Sequence, residues 1–299
     1  MSKHLTASAW SHCDRAMWLR FRDAFDIDVK PERQLVMLMG SAIEQIVIDE
    51  LKSRGHIIGY QQAELTGNWG QPIARIDGIT KTPDGEIKIL EVKAVSSKVF
   101  KAILKNGLPD YYEVQDQIAM HHSAGVTKSG DQLKVTHQAV INRDTGEMLE
   151  FDVSYLADHA DLQSYRLHEI ATREDMPESL IDDPDVGWRC NMCEFNAFCR
   201  DGLIPRISCR TCANVSIVDG EFECAHGSEE CDNHIFHPAF MLSLGHELQS
   251  ADAENMAITY GLFCNARVGY KHHSKETFTS REYADYFKQQ ESKEDENAV

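Results

Sequence analysis

Two carboxylates and a lysine fall on what reads as a single hairpin. The stretches "ARIDGIT" and "EIKILEVKAV" flank "KTPDG", a turn composition that joins antiparallel strands, with Gly85 at the position that tolerates positive φ. If the loop is Pro83, Asp84 and Gly85, then Thr82 pairs with Glu86, and counting back sets Asp77 opposite Glu91. Like charges directly opposed on a sheet are destabilising, with Cβ atoms only about 5 Å apart, unless something positive lies between them. A divalent metal would resolve the conflict. On the second strand, period two puts Ile87, Ile89, Glu91 and Lys93 on one face, so an acid and a lysine point into the same site. An isolated E-x-K triplet would read first as solvated charge on an amphipathic strand.

The neighbouring elements change that reading. Residues 34 to 54 carry apolar side chains at 35, 38, 39, 42, 43, 46, 47 and 51, a helical repeat closed by Gly55 and expected to pack into the core. Glu44 lies in or beside this stripe, one turn after Gly40. An interior glutamate needs a partner, either a metal or a basic side chain. Downstream, "SSKVFKAILKNG" and "DYYEVQDQIAMHHSAG" read as two helices, the second opening on Asp110 with Glu113 as a capping pair. Gln115 sits on that helix; a lone helical glutamine is ordinarily solvent-facing. Lys98, Lys101 and Lys105 recur at helical spacing, either a phosphate-contacting stripe or a solvated face. A second hairpin is expected around residues 142 to 147, then a long helix from Tyr155 to about Asp175 and a linker-like loop, "EDMPESLIDDPDVG".

Cysteine supplies a second kind of chemistry. "RCNMCEFNAFC" sets Cys190, Cys193 and Cys199 at spacings that suit thiolates around one metal centre, one ligand short of four. Further on, Cys209 and Cys212 are followed by Cys224 and Cys231, with His226, His234 and His237 nearby. That pattern reads as a structural zinc site of four cysteines, or of three with a histidine (His226 or His234). Cys264 is left over and reads as a buried small hydrophobe. Nine cysteines clustered in this way are ligands rather than disulfide partners in a reducing compartment.

Composition bounds the rest. The 299 residues, 42% hydrophobic and 26% charged, suit a soluble catalytic-size domain with a smaller appendage. No signal-peptide run or membrane span is visible, so a cytoplasmic protein is expected. The formal charge of −18 argues against a protein that coats nucleic acid generally, but a carboxylate site needs only a local basic path for DNA. The last residues, "QQESKEDENAV", read as a disordered tail.

Taken in order, "GSAIE", "IDGI", "EVK" and "VQDQIAMHH" on helix, strand, strand and helix resemble the PD-(D/E)xK nuclease superfamily, and more narrowly its RecB-type and lambda-exonuclease-type branch. The resemblance implies an α/β restriction-endonuclease-like core, a central mixed sheet flanked by helices. It implies that Glu44, Asp77 and Glu91, with the Val92 carbonyl, bind Mg2+ or Mn2+, that Lys93 positions and activates the attacking water, and that Gln115 orients the lysine or a phosphate. The chain departs from the pattern at Glu44, where many RecB-type members carry histidine. It departs again at Ala119, where many carry tyrosine, leaving Gln117 as the alternative to Gln115. "LTASAWSHCDRAMWLRFRD" resembles the N-terminal segment of the superfamily's iron-sulfur nucleases, the AddB type and the CRISPR-associated type. That likeness makes Cys13 the fourth ligand of a [4Fe-4S] cluster with Cys190, Cys193 and Cys199, although four thiolates suit zinc equally on ligand count. The second cysteine set resembles a small zinc module found beside phage-type nucleases.

The implied organisation is a nuclease domain over 1–205, a zinc-binding module over 206–285 and a tail over 286–299. The implied function is a metal-dependent DNA exonuclease or end-processing nuclease. A phage-encoded enzyme acting in a host cytoplasm, beside a recombination or replication protein, is the setting the resemblance suggests. Two rivals are a catalytically idle DNA-binding or assembly module on the same fold, and a protein-binding factor that never touches DNA.

Overall fold

A computed structural model describes residues 7, 13–26, 31–67, 72–185, 187–224, 234–245, 247–252, 257–261 and 280. Cys231, His226, Cys264 and the 286–299 tail lie outside the described residues. In chain order the elements are α1 (Asp14–Phe21), α2 (Pro31–Ser53), β1 (Ile57–Gly59), β2 (Glu64–Thr66), β3 (Pro72–Arg75), β4 (Gly78–Lys81) and β5 (Ile87–Val95). Next come α3 (Ser97–Asn106), α4 (Asp110–His121), β6 (Val135–Asn142), β7 (Met148–Ser154), α5 (Ala157–Thr172) and α6 (Asn196–Asp201). The last are β8 (Val215–Val218), β9 (Glu221–Cys224), α7 (Pro238–Ser243), β10 (Glu247–Asp252) and β11 (Ala257–Gly261). The chain divides into two compact units, 1–12 with 28–169, and 13–27 with 170–299.

The first unit is mixed α/β. Its five-stranded sheet has the order β1-β4-β5-β6-β7, with β5 and β6 parallel and the other pairs antiparallel. The β4–β5 turn closes as its composition requires. Thr82 N–H donates to the Glu86 carbonyl at 2.9 Å, Gly85 N–H donates to the Thr82 carbonyl at 2.9 Å, and Gly85 takes φ 97°. Pairing runs Lys81 with Ile87 through to Gly78 with Leu90, so the next step in register sets Asp77 beside Glu91. Successive side chains on a strand point to opposite faces. Leu90 and Ala139 accordingly pack with Val47, Ile48 and Leu51 of α2, while Val95 and Val140 pack with Phe100 and Ile103 of α3.

Helix α2 corrects one expectation. Ile43, Val47, Ile48 and Leu51 meet the sheet, but Leu35, Leu38, Met39 and Ile46 are 56–67% exposed and Ala42 is exposed too. At 3.6 residues per turn the exposed residues project from a different side of the helix than Ile43, Val47, Ile48 and Leu51, so the apolar pattern is spread over two sides and only one of them meets the sheet. A second correction concerns α4, whose N-cap is Pro109; Asp110 lies inside the first turn, and its side chain makes no cap bond. Asp110 and Glu113 there complement the helix dipole instead. Among the described residues no helix is long and apolar enough to cross a membrane.

In the second unit α1 is built in by its own sequence. Met17, Trp18 and Leu19 are fully buried. Trp18 packs against Phe240 and donates its indole N–H to the Arg173 carbonyl at 3.1 Å, and Arg22 stacks over its ring at 4.4 Å. Arg20 pairs with Glu194, and Arg206 with Asp23 and Asp26. The β8–β9 hairpin turns on Asp219 and Gly220 at φ 47° and 78°, the two-residue Asp-Gly turn with both central residues at positive φ. Gly187 is held by backbone: a Cβ there would lie 2.7 Å from the Ile181 carbonyl oxygen and 3.0 Å from that of Leu180. Gly187→Ala is expected to cost about 1–3 kcal/mol through forced backbone shifts, read as a lower urea midpoint with an unchanged slope.

Candidate active site

The β4–β5 hairpin delivers Asp77, Glu91 and Lys93 to one place, α4 brings Gln115 over them, and α2 brings Glu44 to the side. Glu91 is 5% exposed. Its Oε1 accepts from Lys93 Nζ at 2.5 Å and from Gln115 Nε2 at 2.9 Å, while Gln115 Oε1 accepts from Lys93 Nζ at 2.9 Å. The three side chains close a ring of hydrogen bonds, so the lysine ammonium has a fixed position rather than a mobile one. Asp77 Oδ2 accepts the Val92 backbone N–H at 2.7 Å, which ties the end of the β4 segment across to β5 where strand pairing stops.

Gln62, which no sequence pattern marks, links the two remaining acids. Its Nε2 donates to Glu44 Oε1 at 2.6 Å and reaches Asp77 Oδ1 at 3.3 Å. The turn that carries it has Tyr60 and Gln62 at φ 53° and 56°, a conformation most side chains avoid. It lies tight against β4 because Gly78 lacks a Cβ, which would meet Gly59 O and Ile58 Cγ2 at 3.2 Å. Only the fold brings Gln62 there. Asp116 is a further buried acid that its position in the sequence barely announces. It is 1% exposed and takes an amide hydrogen bond from the buried Gln138 at 2.5 Å. An acid beside Gln115, next to the apolar run "IAM", is its one visible signal. Gln117 is committed elsewhere, donating to the Ser154 carbonyl at 2.8 Å and accepting from the Leu156 N–H at 2.7 Å, so it does not replace Gln115.

The electrostatics are those of acids crowded together. Burial, then the Glu91 charge, push the Asp77 carboxyl up to about 7, against the hydrogen bond from Val92. Burial also raises Glu44, with Glu91 adding to it and the Gln62 bond opposing, and burial followed by Glu91 sends Asp116 well above the ordinary carboxylate range. For Lys93, burial works against the charge, but the charge and hydrogen bond of Glu91 overcome it and the net shift is upward. The lysine is therefore an ammonium at neutral pH.

The upward shift of Asp77 has a consequence for stability. With the folded-state pKa raised from about 4 to about 7, folding takes up a proton inside that window, and the chain loses stability as pH rises through it. Without divalent cation, Asp77→Asn should gain stability relative to wild type between pH 5 and pH 8. About two units of the window lie between those values, so the gain is about 3 kcal/mol at about 1.4 kcal/mol per unit, read by denaturant melts at the two pH values.

Lys98, Lys101 and Lys105 lie exposed along α3, whose first turn is tethered by Asp144 Oδ2 accepting from both Ser97 N–H and Oγ at 2.8 Å. The acids and Gln115 take their hydrogen bonds from other partners, so the fold does not bring these lysines into the cluster. In the second unit Cys13, Cys190, Cys193 and Cys199 line one small cavity with Ala16, Leu19, Leu180 and Phe195. Burial, then the neighbouring Cys13, Cys199 and Cys190, hold the Cys193 thiol up at about 11, and burial raises Cys13 and Cys190 as well. Thiolates grouped in this way need a cation to be stable. Cys209 and Cys212 flank a single turn, with Cys212 N–H donating to the Cys209 carbonyl at 3.3 Å, and Cys224 pairs with Val215 across the β8–β9 hairpin. His234 is buried, with Nε2 on Thr211 Oγ1 at 3.2 Å and Nδ1 without a hydrogen-bond partner among the described residues. Among the described residues, no three Cys, His, Asp or Glu side chains converge closely enough to chelate one ion as they stand.

No protein-family model and no curated protein matches the chain. Among solved structures it is similar to the alkaline exonuclease LHK-Exo of Laribacter hongkongensis, at 13% identity over 56% of this chain and 86% of that one, with a TM-score of 0.42. It is also similar to the same exonuclease in complex with dAMP (12% identity, 56% and 86%, TM-score 0.43) and to SSO0001 (15%, 68% and 89%, 0.38). At these scores the similarities assign no activity to this chain, and the case for one rests on its own residues.

Proposed function

We propose that this protein hydrolyses phosphodiester bonds in DNA with Mg2+ or Mn2+. The observation that carries the reading is the closed Glu91–Lys93–Gln115 ring beside Asp77 and Glu44. Three carboxylates crowded so closely that burial and the Glu91 charge raise both Asp77 and Glu44 fit a divalent cation, because a cation removes the repulsion between them. Glu44, Asp77 and Glu91, with the Val92 carbonyl, would hold it. When bound, the cation neutralises phosphate charge and makes a water nucleophilic near neutral pH.

The chain's own residues supply the rest. Lys93, as an ammonium, is a donor and a positive charge: it orients the attacking water and stabilises charge building on the phosphate, and does not itself take a proton. Gln115 holds Nζ in place from the side away from the strand. Asp116 and Gln138 stand as a buried, hydrogen-bonded support under the same helix. The exposed α3 lysines are read as sequence-independent phosphate contacts. Exonucleolytic or end-processing action is preferred over endonucleolytic, within a cytoplasmic setting and beside a recombination or replication partner, on the strength of the sequence resemblance.

The cysteine sets are read as structural. The shared cavity of Cys13, Cys190, Cys193 and Cys199 suits a [4Fe-4S] cluster, which binds each thiolate to a separate iron and does not need all four to meet at one ion. Cys209, Cys212 and Cys224 are read as zinc ligands with Cys231 as the fourth; the His234 Nδ1, without a partner among the described residues, supports the histidine variant. The domain division at residues 205 and 285 and phage origin are retained as part of this proposal.

End-labelled DNA incubated with the full chain should be degraded with Mg2+ or Mn2+ and stay intact with chelator. DNA bound but uncut under every divalent ion would favour the idle module instead.

A further inference from the structure

Two adjacent tyrosines at the start of α4 have no part in the chemistry above. Tyr112 is half-buried, packed against the cluster of Val95, Phe100, Ile103 and Val140, and Lys93 Nζ lies 5.1 Å from its ring centroid. Tyr111 meets it edge-on, with centroids 4.6 Å apart and planes at 72°. Tyr112 therefore packs into the core, whereas Tyr111 is 45% exposed. A large aromatic ring is held in a set orientation at the rim of a polar site, and the two centroid distances put it within a nucleotide's length of the lysine.

A phosphate seated at Lys93 carries its own base into that range. Inside a duplex both faces of a base are covered by its stacked neighbours, and the terminal pair, open on its outer face alone, is held in place by pairing and by the stack beneath it, so an unpaired or frayed base is the one free to turn its face to Tyr111. We propose that Tyr111, braced by Tyr112, is a stacking subsite for an unpaired nucleobase next to the phosphate held at Lys93, which makes single-stranded or frayed DNA ends the preferred substrate. The proposal rests on the nuclease reading for where the phosphate sits. Stacking on an aromatic ring is tolerant of base identity, so the subsite selects strand state and not sequence.

Binding measured in chelator separates this from hydrolysis. Full-length protein is titrated into a single-stranded oligonucleotide carrying terminal 2-aminopurine and into a blunt duplex of the same sequence. Wild type should quench the 2-aminopurine and prefer the single strand. Tyr111→Ala should lose the quench and weaken single-strand binding by about tenfold or more with little change for the duplex, while Tyr111→Trp retains both. Unchanged single-strand binding in Tyr111→Ala, or an equal loss on both substrates, would overturn the subsite. If the quench depends on Tyr111 but no divalent ion gives hydrolysis, the subsite stands and the nuclease reading fails; hydrolysis without any Tyr111 dependence is the reverse.

Discussion

Lys93→Ala should lower the rate of DNA hydrolysis by about 10²–10³-fold, the range found when a fixed donor to developing charge is removed. Nζ is the atom at which Glu91 and Gln115 converge. Its removal leaves Glu91 with only the Gln115 amide, so the acid cluster gains net negative charge and DNA affinity should fall by much less than the rate. Lys93→Arg should not rescue the rate. The planar guanidinium cannot take the place of a compact ammonium held between two oxygens, because its donors are set in a rigid fork. A melt equal to wild type in both variants shows that the loss is chemical. Equal rates in wild type and Lys93→Ala would remove the lysine from the mechanism.

The second large effect belongs to the other unit. Cys13→Ala removes a wall of the cavity shared with Cys190, Cys193 and Cys199, and it also removes the N-cap of α1, where the thiol accepts the Ala16 N–H at 3.3 Å. A lost cap alone costs about 1 kcal/mol; a lost metal centre costs several more, because its binding free energy is folding free energy. Anaerobically prepared Cys13→Ala should contain little iron or acid-labile sulfide, lack the visible absorbance of wild type, and unfold at lower denaturant. Iron and sulfide at wild-type levels in the variant would break the assignment of Cys13, and zinc in place of iron in wild type would replace the cluster by an ion.

The hairpin is legible in the sequence because two independent signals agree on it. Glycine at the turn fixes the loop, strand alternation fixes the faces, and together they fix a register that one slipped residue would invert. That register alone is enough to bring Asp77, Glu91 and Lys93 together. The α2 stripe is legible only in part: its apolar residues are spread over more than one side of the helix, and their pattern does not say which side the sheet covers, so Leu35, Leu38, Met39 and Ile46 are expected inside and are exposed. Gln62 is out of reach because its role depends on a turn in an unfavoured conformation and on the close approach that Gly78 allows. Cysteine spacing marks the late trio as a set one ligand short, but Cys13 lies 177 positions before Cys190 in the sequence, and no local pattern reaches that far.

The central claim is that the acids beside Lys93 hold a divalent cation and that this site cuts DNA. The most direct measurement is hydrolysis of end-labelled DNA by wild type and Asp77→Asn side by side, titrated with Mn2+. Asp77→Asn keeps an acceptor for the Val92 N–H and removes only the charge. Wild type should release labelled product in proportion to bound Mn2+, and Asp77→Asn should release none at any concentration. Equal product from both, or product from wild type in the presence of chelator, would contradict it.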